Sequence, residues 1–549
     1  MNLKRKSTTT KMFLVFGFVL FLFIYGGSNL FTKYNNKDAQ QTESTAKELE
    51  AYWPKDEWRT STPEEQGMDS KELANLVQYI EKSTGIRSLL IVRHGYLVLE
   101  SYRAPYDKDT TMNVKSVSKS VLSALTGIAL RENFINDIDQ KVADFLPEYF
   151  KDIDPKKREI TIRHLLQMTA GLPSIELDSN WEQSSDWIKY QLDLPLYCNP
   201  GESFEYSTGL THIMSAIITK TSGMSTLEFA NKYLFEPMGI EAGRWVQDPL
   251  GIYVGGNELE LTPRDMAKFG YLYLHNGVWN GQQLVPAEWV EDSLTNQVRA
   301  TDFNDPTREY GYWWWLGDDY YAAMGWGGQS IIVNPKLDMV VVFTGIDHGA
   351  PLQIYKNKIL RAVKANHALK PNPAAVDKLN ANIENLANFK SDYVSPSEEL
   401  IKKINGKVFT FEKNDIGIDA VSFVFEDSTC IFKYRQIDHK GRTFDSEAVV
   451  GLNGDYQKVT ESHPRYYGYD RTFFPVNEQG GDDPYTVGFE GHWIDENSFV
   501  IKCLGPLGDP LSLMAIFRFS EDKVNVNLTA RPTGVHYSID GGMFSEKNF

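Results

Sequence analysis

Ser116-Val117-Ser118-Lys119-Ser120-Val121-Leu122-Ser123-Ala124-Leu125 is the stretch whose reading decides the fold. Val117, Val121, Leu122, Ala124, Leu125, Ile128, Ala129 and Leu130 repeat at helical spacing, and Ser116, Lys119, Ser120 and Ser123 fall on the remaining stripe. The pattern predicts a mostly buried helix with one small polar face. Residues three apart share a helix face, so the Lys119 ammonium can reach the Ser116 hydroxyl. A serine hydroxyl is a poor nucleophile until a neighbour takes its proton. Free lysine, with a pKa of about 10.4, is protonated at neutral pH and becomes a base only when burial or a nearby charge lowers that value. The Ser-x-x-Lys spacing also occurs at Ser44/Lys47 and Ser520/Lys523. The first of these lies in a polar tether and the second in a turn between strands, and neither has a buried helix around it.

Working outward, the 549 residues suffice for a large core and more than one domain. A net charge of −17 argues against a nucleic-acid partner, which calls for a basic face, and fits a solvated acidic surface. Cys198, Cys430 and Cys503 form no CxxC or metal-ligand spacing, although Cys430 and Cys503 could pair in an oxidising compartment. There is no HExxH and no His pair at helical spacing beside an acid, so neither a metal nor another cofactor is expected.

At the start of the chain, Lys4, Arg5, Lys6 and Lys11 precede an apolar run from Met12 to Tyr25, followed by Gly26-Gly27-Ser28. This charge-then-apolar order is that of an export signal. The run is short for a membrane span, which needs roughly 17–25 residues, but it could just cross if extended through Phe31. Cleaved signal peptide and membrane anchor (residues 12–31) both stay open. Either way the bulk of the chain is expected outside the cytoplasm, periplasmic or otherwise extracytoplasmic.

The expected organisation is a signal peptide or anchor over 1–31, a polar tether over 32–52, a catalytic domain over 53–368, a linker over 369–397 and an all-β domain over 398–549. The spacing predicts helices at Ser70–Glu81, Ile162–Thr169, Leu210–Thr221, Leu227–Leu234, Pro263–His275, Ala287–Ser293 and Leu352–Ala368. It predicts strands at Ser88–Val92 and Tyr96–Tyr102, and again at Tyr312–Leu316, Tyr320–Met324, Ser330–Val333 and Met339–Thr344. Strands at both ends with helices between imply an α/β (α+β) antiparallel sheet covered by helices. The linker may hold a short helix. Nearly every later segment reads as strand, giving a barrel or a sandwich.

At these residues the chain resembles the serine hydrolases that share the fold of β-lactamases and penicillin-binding proteins. Within them it looks most like the class C β-lactamase and esterase branch, which includes proteins similar to 6-aminohexanoate-dimer hydrolase. Three boxes carry the likeness: Ser116-Val117-Ser118-Lys119, Tyr206-Ser207-Thr208, and Trp326-Gly327-Gly328 followed by Gln329. Ile160 to Pro173 and Leu261 to Lys268 extend it, so it covers roughly Trp58 to His367. The resemblance implies Ser116 as nucleophile, with Lys119 and Tyr206 as general base and then acid. It also implies an oxyanion hole made by the backbone N–H groups of Ser116 and Gln329, and a substrate-lining role for Thr208, Trp326, Gly327 and Gly328. His164 precedes an apolar helix turn and reads as structural.

Two departures bear on substrate. Thr208 stands where relatives carry Asn, and Trp326 where many carry a cationic Lys. Tryptophan offers an apolar wall and one N–H donor but no charge. The expected substrate is a small molecule or short peptide, an ester or amide with an uncharged or apolar acyl part. Efficient β-lactam hydrolysis is not expected. A Ser-His-Asp hydrolase would want Gly-x-Ser-x-Gly, which is missing, as are P-loop and dinucleotide fingerprints. The alternatives are a cell-wall D-amino-acid peptidase or amidase, a weak β-lactamase, and a surface-tethered sensor acylated without turnover. Oligomeric state is not legible.

Overall fold

The computed structural model describes residues 52–82, 85–176, 178–300, 308–347, 349–389, 393–438, 441–463, 483–504, 512–531 and 535–544. Residues 1–51, which hold the expected export signal, nearly all of the expected tether and Ser44/Lys47, lie outside them. Among the described residues no helix is long and apolar enough to cross a membrane.

Eight strands form the first sheet. In chain order we label β1 (Ile86–Arg93), β2 (Tyr96–Tyr102), β3 (Met112–Asn113), β4 (Glu260–Leu261), β5 (Val298–Arg299), β6 (Glu309–Tyr310), β7 (Trp315–Leu316), β8 (Tyr321–Gly325), β9 (Gln329–Asn334) and β10 (Met339–Gly345). The sheet order is β2-β1-β10-β9-β8-β7-β6-β5, and every pairing is antiparallel. β3 and β4 pair apart as a two-stranded ribbon. β1, β9 and β10 are buried along their whole length, as expected of central strands covered on both faces.

One face packs on α1 (Ser70–Lys82), whose Leu73, Leu76, Val77 and Ile80 fill a core with Ile86, Leu89, Ile91, Val341 and Phe343. The other face meets α2 (Val117–Arg131) and α4 (Pro263–Leu274), α3 (Thr208–Ser222) packs on α2, and the largest core forms around the three. Inside α2 the polar Ser118, Lys119, Ser120 and Ser123 are buried with their apolar neighbours. That helix is central, not a surface element.

Several expectations need correction. Tyr312–Leu316 pairs only at Trp315–Leu316, because Trp313 adopts a left-handed φ of 64° and its carbonyl accepts from the Ser120 hydroxyl at 2.6 Å. The helix expected over 352–368 instead spans 350–362, with a wide turn at Tyr355–Ile359, and the chain is extended at Val363. Within the supposed linker lies a 15-residue helix, α5 (Pro373–Ala387), which buries Leu379 and Leu386 in the α1 core.

The C-terminal strands are β11 (Val408–Phe411), β12 (Ile418–Phe425), β13 (Thr429–Ile437), β14 (Thr443–Leu452), β15 (Gln457–His463), β16 (Asp483–Asp495), β17 (Ser498–Leu504), β18 (Ser512–Ser520), β19 (Lys523–Arg531) and β20 (Val535–Phe544). Their order is β14-β13-β12-β11-β20-β19-β18-β17-β16-β15, and a parallel β14–β16 pairing closes nine of them into a barrel. Closure removes open edges and settles barrel over sandwich. The core includes Phe409, Phe423, Phe432, Phe489, Phe499 and Phe517, from strands that alternate inward and outward. Cys430 and Cys503 both lie in this core, and no disulfide joins them. Ser520 and Lys523 flank the β18–β19 turn, as their sequence context predicts.

Candidate active site

The backbone turns sharply just before α2. Lys115 has a left-handed φ of 49°, uncommon for a side-chain-bearing residue. Local bonds hold it there. The Lys115 N–H donates to Asn113 Oδ1 at 3.0 Å, and its ammonium pairs with Glu258 at 2.9 Å. Asn113 also donates through its side chain to Glu258, so β3 and the chain leading into β4 grip the turn from both sides. Ser116 follows as the N-cap residue of α2 and, being half-buried, can be approached from solvent.

Lys119 lies one turn on. Its ammonium is 3.1 Å from Ser116 Oγ and donates to Thr208 Oγ1 at 2.8 Å and to the Gly256 carbonyl at 2.9 Å. Three acceptors match the three protons of an ammonium. Burial pulls its pKa down to about 8, against a smaller upward pull from Glu176. Gly256 makes this packing possible. A Cβ there would stand 2.3 Å from Thr211 Oγ1 and 3.0 Å from Lys119 Nζ.

Tyr206 precedes α3 and is buried. Its side chain is hydrogen-bonded to Ser116, and its ring lies 4.7 Å from the Lys119 ammonium. Burial first, and the charge of Glu176 second, hold its phenol well above the ordinary value; the bond to Ser116 works the other way. Trp315 stacks on the far side at 6.0 Å and is itself covered by the Arg308 guanidinium at 4.3 Å. At the rim, Glu182 has its carboxyl pushed up to about 7, by burial first and then by the charge of Glu258, with Lys115 opposing.

The third box is the turn of the β8–β9 hairpin. Gly327 and Gly328 have φ of 77° and 90°, values that favour glycine. Trp326 stands 39% exposed at the tip. The strand backbone abutting Ser116 belongs to Gly325, where a Cβ would lie 2.4 Å from the Val114 carbonyl and 3.1 Å from Ser116 N. Gln329 pairs with Gly325 across the hairpin, one strand further away, and is fully buried. Its side-chain amide donates to the Gly345 carbonyl at 2.7 Å. The next backbone N–H along the chain after Gly325 is that of Trp326.

Ser116, Lys119 and Tyr206 therefore converge as the sequence predicts. Thr208 is buried and its hydroxyl accepts from Lys119. His164 is structural, its Nδ1 accepting from the Thr161 N–H in a capping box. Of the three consecutive tryptophans only Trp315 touches Tyr206; Trp313 donates to the Leu165 carbonyl, and Trp314 packs on Phe269 and Tyr273. Sequence reasoning missed Gly256, Gly325 and Glu176. The Gly255-Gly256 doublet was the one available signal, since paired glycines mark close backbone approach.

A family model described as Beta-lactamase matches residues 73–358. The 6-aminohexanoate-dimer hydrolase of Paenarthrobacter ureafaciens is 25% identical over 298 residues, 49% of this chain and 74% of that protein. The beta-lactamase of Escherichia coli (strain K12) is 24% identical over 287 residues, covering 50% and 68% of the two chains. Penicillin-binding protein 4* of Bacillus subtilis (strain 168) is 24% identical over 318 residues, again 50% and 68%.

Proposed function

The chain belongs to the beta-lactamase family and is a serine hydrolase, and from that premise we propose that it cleaves an ester or amide through an acyl-enzyme on Ser116. The observation that carries this reading is the buried Lys119 ammonium, 3.1 Å from Ser116 Oγ with its pKa lowered to about 8. At pH 7 about one molecule in ten then holds a neutral amine there, enough for a general base. Tyr206, with its phenol held protonated, serves as the acid.

In the acylation step the Ser116 proton passes to Lys119 while Oγ bonds to the substrate carbonyl carbon. The bond to the leaving group then breaks, and the leaving oxygen or nitrogen takes the Tyr206 proton, which Lys119 replaces. Water repeats the sequence in reverse to free Ser116. The developing oxyanion is held by the N–H groups of Ser116 and Trp326, the latter replacing Gln329 because Gly325 is the residue against Ser116. Trp326 and Trp315 favour an uncharged or apolar acyl part. Residues 12–31 would export the protein or anchor it, which fractionation of producing cells tests.

Ser116→Ala should lower turnover of an activated ester by on the order of 10³-fold or more, with an unchanged circular dichroism spectrum. Intact-mass spectrometry with a slow ester should show one acyl group on the parent and none on the variant. Full residual turnover would sink the assignment. A stable adduct without multiple turnover would instead indicate a sensor.

A further inference from the structure

The loop from Pro173 to Glu176 is bonded to the Tyr206–Thr208 segment at several points. The Ser174 hydroxyl donates to the Tyr206 carbonyl at 2.7 Å. Gln191 links the two, its Nε2 donating to the Pro173 carbonyl at 3.1 Å and its Oε1 accepting from the Ser207 hydroxyl at 3.0 Å. Ser207 is the N-cap residue of α3, but its hydroxyl is turned toward Gln191 and makes no capping bond. The Glu176 carboxylate takes that place, accepting from the Thr208 N–H. A carboxylate suits this end of a 15-residue helix, where free N–H groups and the helix dipole favour negative charge.

We propose that Glu176 is a positioning residue of the active site, capping α3 from outside and placing a fixed negative charge beside the Lys119–Tyr206 pair. The proposal rests on the Ser116 acyl-enzyme reading above. Glu176 is solvent-exposed, yet its charge acts on Lys119, Tyr206, Tyr310 and Glu182 together, each time favouring the more protonated form. The other charged groups facing this space are the Lys115–Glu258 pair and Arg308. The geometry gives Glu176 two separable duties. As an acceptor it fixes where α3 begins, and with it the Tyr206 hydroxyl and Thr208 Oγ1. As a charge it keeps the buried Lys119 from losing its proton too readily, so that the amine cycles between base and acid near neutral pH.

Two substitutions separate these duties. Glu176→Gln keeps an acceptor oxygen and removes the charge, whereas Glu176→Ala removes both. The full chain is assayed with a neutral activated ester from pH 5.5 to 9.5. The Gln variant should move the acidic limb of kcat/KM down by roughly half a pH unit, with kcat at the plateau within about twofold of the parent. The Ala variant should show the same shift plus a roughly tenfold lower kcat. A limb that stays at the parental pH in both variants overturns the proposal. So does an effect confined to KM, which would make Glu176 a substrate contact. Ser116→Ala is run alongside: loss of its turnover with unshifted Glu176 variants overturns only the positioning role, while retained turnover overturns the acyl-enzyme reading itself.

Discussion

If Ser116 is acylated as proposed, Lys119 carries a conflict between stability and catalysis. In the unfolded chain its ammonium titrates near 10.4, and in the folded protein near 8, so folding at neutral pH buries a cation. The sign follows from proton counts. Between about pH 8 and 10.4 the unfolded chain binds more protons than the folded one, so stability rises with pH across that window. The contribution is about 3 kcal/mol, fully absent below pH 8 and fully present above 10.4. Lys119→Met removes this dependence. Urea unfolding of the parent and this variant should therefore give a stability difference that changes by about 3 kcal/mol in the parent's favour from pH 7 to 10.5. A constant difference would show that the site is wetter than its burial implies. The catalytic counterpart is an acidic limb of kcat/KM centred near 8, which the Ser116 reading requires. At this scale the sequence was legible where one helix or one short box held the partners, as for Ser116, Lys119 and Tyr206. It was silent where the chain returns from afar. Gly256 lies 137 positions beyond Lys119 and contributes only a carbonyl, a group every residue has. The choice between Gln329 and Trp326 was open for a related reason, because a motif spacing does not say on which side of a hairpin turn the backbone faces Ser116.

The elements show the same division between local and long-range signals. The paired glycines at the β8–β9 turn, the serine and threonine caps, and the apolar periodicity of α2, α3 and α4 are local properties, and these elements lie close to where the pattern puts them. α5 was harder to read. Its sequence carries Leu379, Ile383 and Leu386 among Asn, Asp, Glu and Lys, a thin apolar stripe that resembles linker composition until a partner covers it. The partner is α1, more than 290 residues earlier, where Asn382 also donates to the Ala74 carbonyl at 2.8 Å across 308 positions. The hydrolase core thus continues past residue 368. Leu379→Ala and Leu386→Ala should each cost about 2–4 kcal/mol, read as a lower midpoint in urea with an unchanged slope. A loss under half a kcal/mol in both would return this segment to the status of a linker. Strand β16 carries a weaker local signal for a different reason: Gly488 and Gly491 interrupt a period-two run of Val487, Phe489 and Trp493 that becomes clear only once the barrel gives it an inside.

At the scale of the whole molecule, the barrel and the hydrolase meet through a small mixed contact. Leu504, the last residue of β17, and Tyr456 pack with Tyr106 and Met112 of the hydrolase. Behind them Arg87 covers the Tyr106 ring at 4.8 Å, and Arg103 donates to the Ile80 carbonyl at 2.6 Å. From the barrel, the buried Glu490 is paired with His492 at 2.8 Å and Lys502 at 3.1 Å, and its charge reaches Tyr456. Met112 belongs to β3, whose next residue, Asn113, accepts from the Lys115 N–H just ahead of Ser116. The barrel therefore presses on the ribbon that leads into Ser116, a contact that no feature of either segment announces in the sequence. Leu504→Asp tests how far this contact matters. A carboxylate among Met112, Tyr106 and Tyr456 would lose hydration and draw the Arg87 and Arg103 guanidiniums out of their present contacts, at a net cost of a few kcal/mol, and the cheaper outcome is separation of the two parts. Calorimetry should then show the single transition of the parent split into two. Labelling of Ser116 by a fluorophosphonate should slow by a few-fold as the β3–β4 ribbon loses its backing. An unchanged melting profile with unchanged labelling would mean that the barrel rides on the hydrolase without supporting it.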